Sequence, residues 1–118
     1  MGWTLKPIKY HRDSKVSGGA ASEYLTSKLV GPLRLRIINI VDYTTQCKVS
    51  VAIRNKSSPE GSGETISLIN RQWQVEAGID VGWEGDIVID ANSVIEANFE
   101  DGNLANDNLF LTVGYEQI

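Results

Sequence analysis

Four runs of sequence between Trp73 and Glu116 determine the fold predicted for this chain. They are Trp73-Gln74-Val75-Glu76-Ala77-Gly78, Trp83-Glu84-Gly85-Asp86-Ile87-Val88-Ile89-Asp90, Ser93-Val94-Ile95-Glu96-Ala97-Asn98-Phe99 and Leu109-Phe110-Leu111-Thr112-Val113-Gly114-Tyr115-Glu116. Within each run apolar residues largely alternate with polar ones, and glycine, asparagine or aspartate stands between the runs. This pattern is typical of short antiparallel strands that have one face on a core and the other in water.

The upstream sequence extends the same pattern. Leu33, Leu35 and Ile37 alternate with two arginines, and further strands are predicted at 3–10, 23–30, 47–53 and 65–69. No segment keeps helical apolar spacing over three turns, so we expect little or no helix. With roughly eight or nine short strands between regular turn signals, the chain is predicted to be an all-β, antiparallel β-sandwich. Eight strands in two sheets is the jelly-roll count, so we expect a jelly-roll-like sandwich.

Length and composition favour one domain. The chain has 118 residues, of which 42% are hydrophobic and 22% charged, as in an ordinary soluble domain. Cys47 is the single cysteine, which rules out a disulfide within the chain, and we expect its thiol to be buried on the core side of its strand. The N-terminus lacks the apolar run of a secretory signal, so we expect synthesis in a cytoplasm.

The first 22 residues differ from the rest. Pro7 interrupts the first apolar stretch, which suits an edge strand or an extended arm. Residues 11–22 are small and polar, which predicts a mobile loop. We therefore divide the chain into residues 1–22, an N-terminal arm or edge strand, and residues 23–118, the sandwich domain.

Charge is unevenly distributed along the chain. Residues 1–56 carry ten Lys or Arg against three acids, a net charge of +7, whereas residues 57–118 carry one base against twelve acids, a net charge of −11. Such asymmetry indicates association with a partner, and the acidic face of a neighbouring copy is one candidate. The alternative is that both halves form solvated faces of one sandwich. We expect no nucleic-acid partner and no membrane partner.

The residues that usually perform catalysis are missing from this sequence. His11 is the only histidine, and no serine or cysteine is placed to act with it. Glu84 with Asp86, and Glu96 with Glu100, are carboxylate pairs that we expect to face solvent. The 100–108 loop is rich in oxygen ligands that could hold calcium, but it lacks the EF-hand spacing. We predict no enzyme activity, no catalytic residue, no cofactor and no metal site.

The three tryptophans indicate binding of some kind. Trp73 alternates with Val75 and Ala77, which predicts a core position, whereas Trp83 lies near a turn and is expected to be exposed. Exposed aromatic residues occur in protein interfaces and in carbohydrate-binding modules. The candidate interface residues are Trp3, Leu5, Ile8, Tyr10, Arg34, Arg36 and Trp83.

The order of these strands resembles a known family. Arg36-Ile37-Ile38-Asn39-Ile40, Val49-Ser50-Val51-Ala52-Ile53-Arg54, Gly85-Asp86-Ile87-Val88-Ile89-Asp90-Ala91 and Leu111-Thr112-Val113-Gly114-Tyr115-Glu116 follow each other along the chain. Over residues 33–118 this order is similar to that of small virion proteins of tailed phages, with their "I-x-N", "V-x-V-x-I", "G-D-x-I-x-A" and closing "V-x-y-x-E" strands.

The resemblance implies a jelly-roll structural protein of a phage particle. Its first reading is a capsid decoration, or cement, protein that forms a homotrimer, binds the major capsid protein or another virion protein, and resides in the virion. In that reading the N-terminal arm lies on a neighbouring subunit. A head–tail or tail accessory protein, and a carbohydrate-binding β-sandwich module that uses Trp83, remain alternatives.

Overall fold

The structure, a computed structural model, describes residues 7–74 and 76–118. Within them the chain forms eight strands: β1 Lys9–Val16, β2 Ser22–Thr26, β3 Leu33–Asp42, β4 Lys48–Asn55, β5 Glu64–Trp73, β6 Val81–Ile89, β7 Ser93–Glu100 and β8 Asn108–Gln117. None of the described residues lies in a helix, and hence no helix among them could cross a membrane.

The strands form two four-stranded sheets with jelly-roll order. The first sheet runs β1-β8-β3-β6 and the second β2-β7-β4-β5, and every neighbouring pair is antiparallel. This order results when a long hairpin of four strand pairs, β1 with β8, β2 with β7, β3 with β6 and β4 with β5, is rolled so that alternate pairs fall in opposite sheets. The predicted all-β jelly-roll sandwich is confirmed.

The core lies between the inner faces of the two sheets. Leu35 and Ile38 of β3 meet Val113 of β8 in the first sheet, while Val51 and Phe99 face them from the second, and each is at most 1% exposed. Burying a side chain of this size contributes about 1.5–3 kcal/mol. If any of these strands shifted by one residue, its apolar side chains would face solvent. The alternation of apolar and polar residues therefore fixes the register.

The single thiol lies in the same core. Cys47 has no exposed surface, so its predicted burial is confirmed. Burial, together with the charge of nearby Asp42, raises the pKa of this thiol to about 12. The sulfur is therefore protonated at neutral pH and poorly reactive.

The N-terminal part of the chain differs from its prediction. The loop expected from residue 11 begins only after Val16, because Lys9–Val16 pairs along its whole length with β8 as an edge strand. The inward carboxylate of β1 is hydrogen-bonded there: Asp13 accepts hydrogen bonds from the Ser27 hydroxyl at 2.9 Å and the Lys28 amide at 3.1 Å. Residues 1–6, including Trp3 and Leu5, lie outside the described residues.

The strand predicted from the alternating run at residues 73–78 does not continue beyond Trp73 in the described residues 74 and 76–78. β5 ends at Trp73, and the chain then turns through Gly78, which has a φ of +84° that favours glycine. The Gly78 amide donates to the carbonyl oxygen of Asp42 at 2.9 Å, which fixes this turn against the end of β3.

Candidate interaction surface

The outer face of the first sheet brings together four of the seven residues predicted to form an interface. Tyr10 of β1 pairs with Gly114 of β8, and Gly114 pairs in turn with Ile37 of β3, so all three positions face outward. Ile8 approaches the same point from the segment before β1. Ile8 and Tyr10 are 37% and 63% exposed, so this apolar group, which we call the Ile8 patch (Ile8, Tyr10 and Ile37), is open to contact.

Gly114 makes this convergence possible. A Cβ atom at this position would lie 3.0 Å from both Ile37 Cβ and Tyr10 Cε1, and 3.3 Å from Ile8 Cγ2. These separations are shorter than ordinary van der Waals contact, so a side chain here would push the three residues apart. The glycine therefore forms the floor of the Ile8 patch.

The two predicted arginines lie beside the Ile8 patch. Arg36 stands at a β-bulge of β3, where the register with β8 shifts by one residue. Its Nη1 donates to Glu116 at 3.0 Å and its Nε to the carbonyl oxygen of Gly85 at 3.0 Å. Arg34 Nη1 contacts both carboxylate oxygens of Asp86, at 3.2 and 3.1 Å. Both cations are neutralised within the chain, so they frame the patch rather than offer free positive charge.

A second group of exposed aromatic residues lies further along the same face. Arg12, two residues from Tyr10 on β1, places its guanidinium 4.0 Å from the ring centroid of Phe110. Its Nη2 also donates to the Tyr43 hydroxyl at 3.4 Å. The rings of Tyr43 and Phe110 pack edge to face with centroids 5.1 Å apart. We call these three residues the Tyr43 patch; Tyr43 itself is 53% exposed.

The two tryptophans have exchanged the positions that were predicted for them. Trp83 pairs with the core residue Ile38, so it faces inward, half-buried, at the edge of the core. Its indole covers Gly85, where a Cβ atom would lie 2.4 Å from the ring. The exposed platform predicted at Trp83 is therefore wrong, and with it the specific basis for sugar binding there.

Trp73 is the exposed tryptophan, with 53% of its surface accessible. It pairs with Lys48, whose ammonium lies 5.1 Å from the ring centroid on the outer face of the second sheet. Between Val51 and Val49 the partner strand β5 carries one extra residue, from Ile69 to Gln72. That bulge reverses the inward and outward positions toward the end of β5, which is why the predicted core position is wrong.

A buried polar cluster closes one end of the sandwich. Asp42 and Asp107 are at most 1% exposed, their carboxyl groups are hydrogen-bonded to each other, and the Thr45 hydroxyl donates to Asp107. Asp42 Oδ1 accepts from the Thr44 amide at 2.9 Å, and the side chain of Gln74 bonds the Asp42 backbone. Burial, and then the hydrogen bond with Asp107, raises the pKa of Asp42 to about 6.

The oxygen-rich 100–108 loop uses its carboxylates in contacts within the chain. Asp101 pairs with Lys48 at 3.2 Å, and Asp107 belongs to the buried cluster. Among residues 7–74 and 76–118 no group of three or more His, Cys, Asp or Glu side chains is arranged to hold a metal ion.

His11 and Ser27 come together around one carboxylate. His11 Nε2 lies 2.9 Å from Asp13 Oδ2, and the Ser27 hydroxyl donates to that same oxygen at 2.9 Å. In a nucleophilic triad the imidazole would accept the proton of the serine hydroxyl. Here both groups contact the acid instead, so this arrangement does not activate Ser27.

The two carboxylate pairs considered for glycoside chemistry are engaged differently from what we expected. Glu96 is buried rather than solvent-facing, and its Oε1 accepts from Arg54 Nε at 2.9 Å. Glu100 pairs with Arg71 at 2.6 Å. Asp86 pairs with Arg34, and only Glu84 keeps an exposed carboxylate with no ion pair or hydrogen bond to another described residue.

Comparison with known proteins does not assign this chain to a family. No protein-family model matches it, and no curated protein is significantly similar to it. The fold and the chemistry of the surface therefore carry the functional proposal.

Four residues of the two patches were not predicted to lie in an interface: Arg12, Ile37, Tyr43 and Phe110. Ile37 shares the alternation of Leu33 and Leu35, but the bulge at Arg36 turns it outward. A signal was present for Phe110: Leu109, Phe110 and Leu111 are consecutive apolar residues, so one of them must leave the core face of its strand. For Tyr43 the sequence offers no such signal, because its position depends on Arg12 and Phe110.

Proposed function

We propose that this chain is a non-enzymatic structural component of a phage particle, a capsid decoration protein that forms a homotrimer and binds the major capsid protein. The observation that carries the proposal is the row of exposed aromatic and aliphatic side chains on the outer face of the first sheet, at Ile8, Tyr10 and Tyr43. Contiguous exposed apolar groups of this kind mark protein-binding sites.

The composition of this face supports protein contact. Aromatic residues and arginine are enriched in protein interfaces and dominate their binding energy. The outer face supplies two tyrosines, a phenylalanine and Arg12, bordered on one side by ion pairs such as Arg34–Asp86. This is an apolar centre with a polar rim, as specific interfaces have.

The Tyr43 patch is also ordered before any partner arrives. Arg12 stacks on Phe110 and bonds the Tyr43 hydroxyl, so each side chain restricts the rotamers of the others. Ordering one such side chain on binding otherwise costs about 0.5–1.5 kcal/mol. A preformed patch suits a subunit whose role is to bind a rigid shell.

The N-terminal arm adds to this surface. Lys9–Val16 is paired with β8 of its own chain, so a contact of the arm with a neighbouring subunit would come from residues before Lys9. Ile8 joins that segment to the Ile8 patch. A head–tail or tail accessory role would use the same face on a different virion protein.

The first test is self-association, measured by sedimentation velocity over a range of concentrations. We expect a trimer, and we expect Tyr10→Ala and Tyr43→Ala each to raise the dissociation constant by about tenfold or more, as for residues at the centre of an interface. The matched control is Trp73→Ala, which removes an equally exposed aromatic residue from the second sheet. A monomer at every concentration, or an equal effect of all three substitutions, would contradict the proposed surface.

The second test is binding to a shell. Capsids assembled from the major capsid protein of the genome that encodes this chain are sedimented with the wild-type protein and with Tyr43→Ala. We expect co-sedimentation of the wild type and its loss in the variant, with Trp73→Ala unchanged. A wild-type protein that stays in the supernatant refutes the decoration role, and binding to isolated necks or tails instead would identify the accessory role.

A further inference from the structure

A small polar cavity lies on the outer face of the second sheet. Tyr24 of β2, Asn98 of β7 and Ser50 of β4 are paired neighbours across three strands, and all three line this cavity. Glu96 lines it beside them, and the loop after β4 closes it at Gly61. The cavity has a volume of about 90 Å³. Sites for drug-sized ligands have about 300–1,000 Å³, so this cavity can take only a small group or one edge of a ring.

Gly61 brings the β4–β5 loop against one wall of the cavity. Its φ is +77°, which favours glycine, and a Cβ atom there would lie 2.7 Å from the hydroxyl oxygen of Tyr24. The Gly61 amide also donates to Glu96 Oε2 at 3.4 Å. Glu96 Oε1 accepts from Arg54 Nε at 2.9 Å. Contacts within the chain therefore hold this wall in place before any ligand binds.

Several groups around the cavity have hydrogen-bonding capacity left over. Asn98 Oδ1 accepts from the Ser22 hydroxyl at 2.9 Å, but the side-chain nitrogen of Asn98 has no partner among the described residues. The hydroxyls of Ser50 and Tyr24 and the carboxylate of Glu64 likewise have no hydrogen-bond partner within residues 7–74 and 76–118. Donors and acceptors therefore line the cavity together.

These groups suit a sugar better than a charged ligand. A sugar hydroxyl both donates and accepts, so adjacent hydroxyls of a pyranose can bond an amide, a carboxylate and a protein hydroxyl at once. The ring of Tyr24 offers an apolar surface to the C–H groups of the sugar. Arg54 is already paired with Glu96, which disfavours an anion. A cation would rely on the exposed carboxylate of Glu64, and an exposed ion pair contributes little in water.

We propose that this cavity is a carbohydrate-binding site that takes one edge of the terminal pyranose of a glycan. In this arrangement two adjacent hydroxyls of the sugar bond the Asn98 nitrogen and the Ser50 hydroxyl, and the sugar ring lies against Tyr24. Because the cavity encloses only one edge, the rest of the glycan extends into solvent. The site lies on the second sheet, whereas the surface proposed for association lies on the first, so either can fail without the other.

Titration with methyl glycosides tests the site. The α and β methyl glycosides of glucose, galactose, mannose and N-acetylglucosamine represent terminal pyranoses, and ¹H–¹⁵N spectra of the whole chain detect their binding. We expect at least one of them, at millimolar concentrations, to cause saturable shifts in the amide signals of Ser50, Gly61 and Asn98. The signals of Gly82 and Gly114, on the first sheet, are expected to stay in place. If none of the glycosides shifts the cavity signals saturably, the proposal is overturned.

Substitutions assign the contact to particular side chains. Asn98→Ala removes the amide donor and Ser50→Ala removes the hydroxyl, and each is expected to raise the dissociation constant of the bound glycoside by about tenfold. The control is Trp73→Ala, which removes an exposed aromatic residue of the same sheet whose ring contacts Lys48 and lies outside the cavity. The spectrum of each variant shows whether it is folded, and Ser50→Ala decides if Asn98→Ala is not. Unchanged affinity in the folded cavity variants, or equal weakening by Trp73→Ala, overturns the proposal.

A titration with n-butylamine separates a sugar site from a site for a lysine side chain. The ammonium group of this amine would be attracted to Glu64, and salt would weaken that attraction. We expect n-butylamine to leave the signals of Ser50 and Asn98 in place. Saturable, salt-sensitive shifts with n-butylamine and none with the glycosides would assign the cavity to a lysine of a protein partner and overturn the proposal.

Discussion

Replacing Asp42 by asparagine is predicted to stabilise the protein at neutral pH. Asp42 has no exposed surface, and its carboxyl faces Asp107, Thr45 and Cys47, with Gln74 against its backbone. None of these groups is a cation that could balance two carboxylates. Ionisation of Asp42 therefore places its negative charge in a buried site beside another acidic side chain, which favours the protonated form of Asp42.

The magnitude follows from the pKa of Asp42, which is raised from the ordinary 3.8 to about 6. Below pH 3.8 the carboxyl is protonated in both the folded and the unfolded chain, so its raised pKa causes no loss in the free energy of unfolding there. As the pH rises to about 6 the unfolded chain releases this proton more readily, so the free energy of unfolding falls. At about 1.4 kcal/mol for each pH unit, the loss above pH 6 is about 3 kcal/mol.

Asp42→Asn removes this loss while keeping the geometry. The amide oxygen can still accept from the Thr44 and Thr45 amides, as Oδ1 of Asp42 does at 2.9 and 3.3 Å. The amide nitrogen can donate to the Asp107 side chain. We therefore expect the variant to be more stable than the wild type by about 1–3 kcal/mol at pH 7.5, and we expect that advantage to shrink toward pH 4.

Urea unfolding followed by tryptophan fluorescence at pH 4, 5, 6 and 7.5 measures this difference. Comparing variant and wild type at each pH cancels the effect of the other carboxylates, which titrate in both proteins. Glu76→Gln, at an exposed turn, is the control and should leave the pH dependence unchanged. If the difference in the free energy of unfolding between Asp42→Asn and the wild type is the same at pH 5 and pH 7.5, Asp42 is not the carboxyl with the raised pKa.

Two further predictions concern packing and a buried ion pair. Gly114→Val should lower the free energy of unfolding by about 1–3 kcal/mol, because the added side chain overpacks the Ile8 patch. Gly82→Val is the control and should cause no such loss, because a Cβ atom there meets nothing closer than 3.5 Å. Equal urea midpoints for the two variants would contradict this prediction. Arg54→Met should destabilise by about 3–5 kcal/mol because it leaves the buried Glu96 unpaired. The double variant Arg54→Met/Glu96→Leu should recover most of that loss, and a double variant as unstable as Arg54→Met would show that the charge of Glu96 is not the cause.

The sequence predicts those strands whose buried positions are apolar. β3, β4, β7 and β8 bury one aliphatic set, and their alternation gives both the existence of each strand and the face it buries. The apolar pattern does not predict β1, because the inward residues of this strand include His11 and Asp13. Their burial is tolerated only because Ser27 and Lys28, from a different part of the chain, satisfy Asp13.

The candidate surface was predicted in part, for a related reason. Ile8 and Tyr10 are apolar residues of the interrupted first stretch, and Arg34 and Arg36 are the polar positions of an alternating strand; the structure gathers all four on one face. Trp73 was misplaced because β5 ends there and a bulge changes which positions face inward. Trp83 was misplaced because it lies within β6, at a position that faces the core, and not in a turn. The pair of Asp42 and Asp107 joins the end of β3 to the segment before β8, and no local pattern connects these two distant positions.

The uneven charge of the two halves has a topological explanation in the jelly roll. All six strand pairings join a strand from residues 1–56 to a strand from residues 57–118. Basic strands of the first half therefore lie next to acidic strands of the second, and five of the eight ion pairs among the described residues link the halves, including Arg34–Asp86, Arg36–Glu116 and Arg54–Glu96. The opposite charges of the two halves, which suggested a partner, therefore largely pair with each other within one chain. The charge asymmetry therefore does not by itself require a partner of opposite charge.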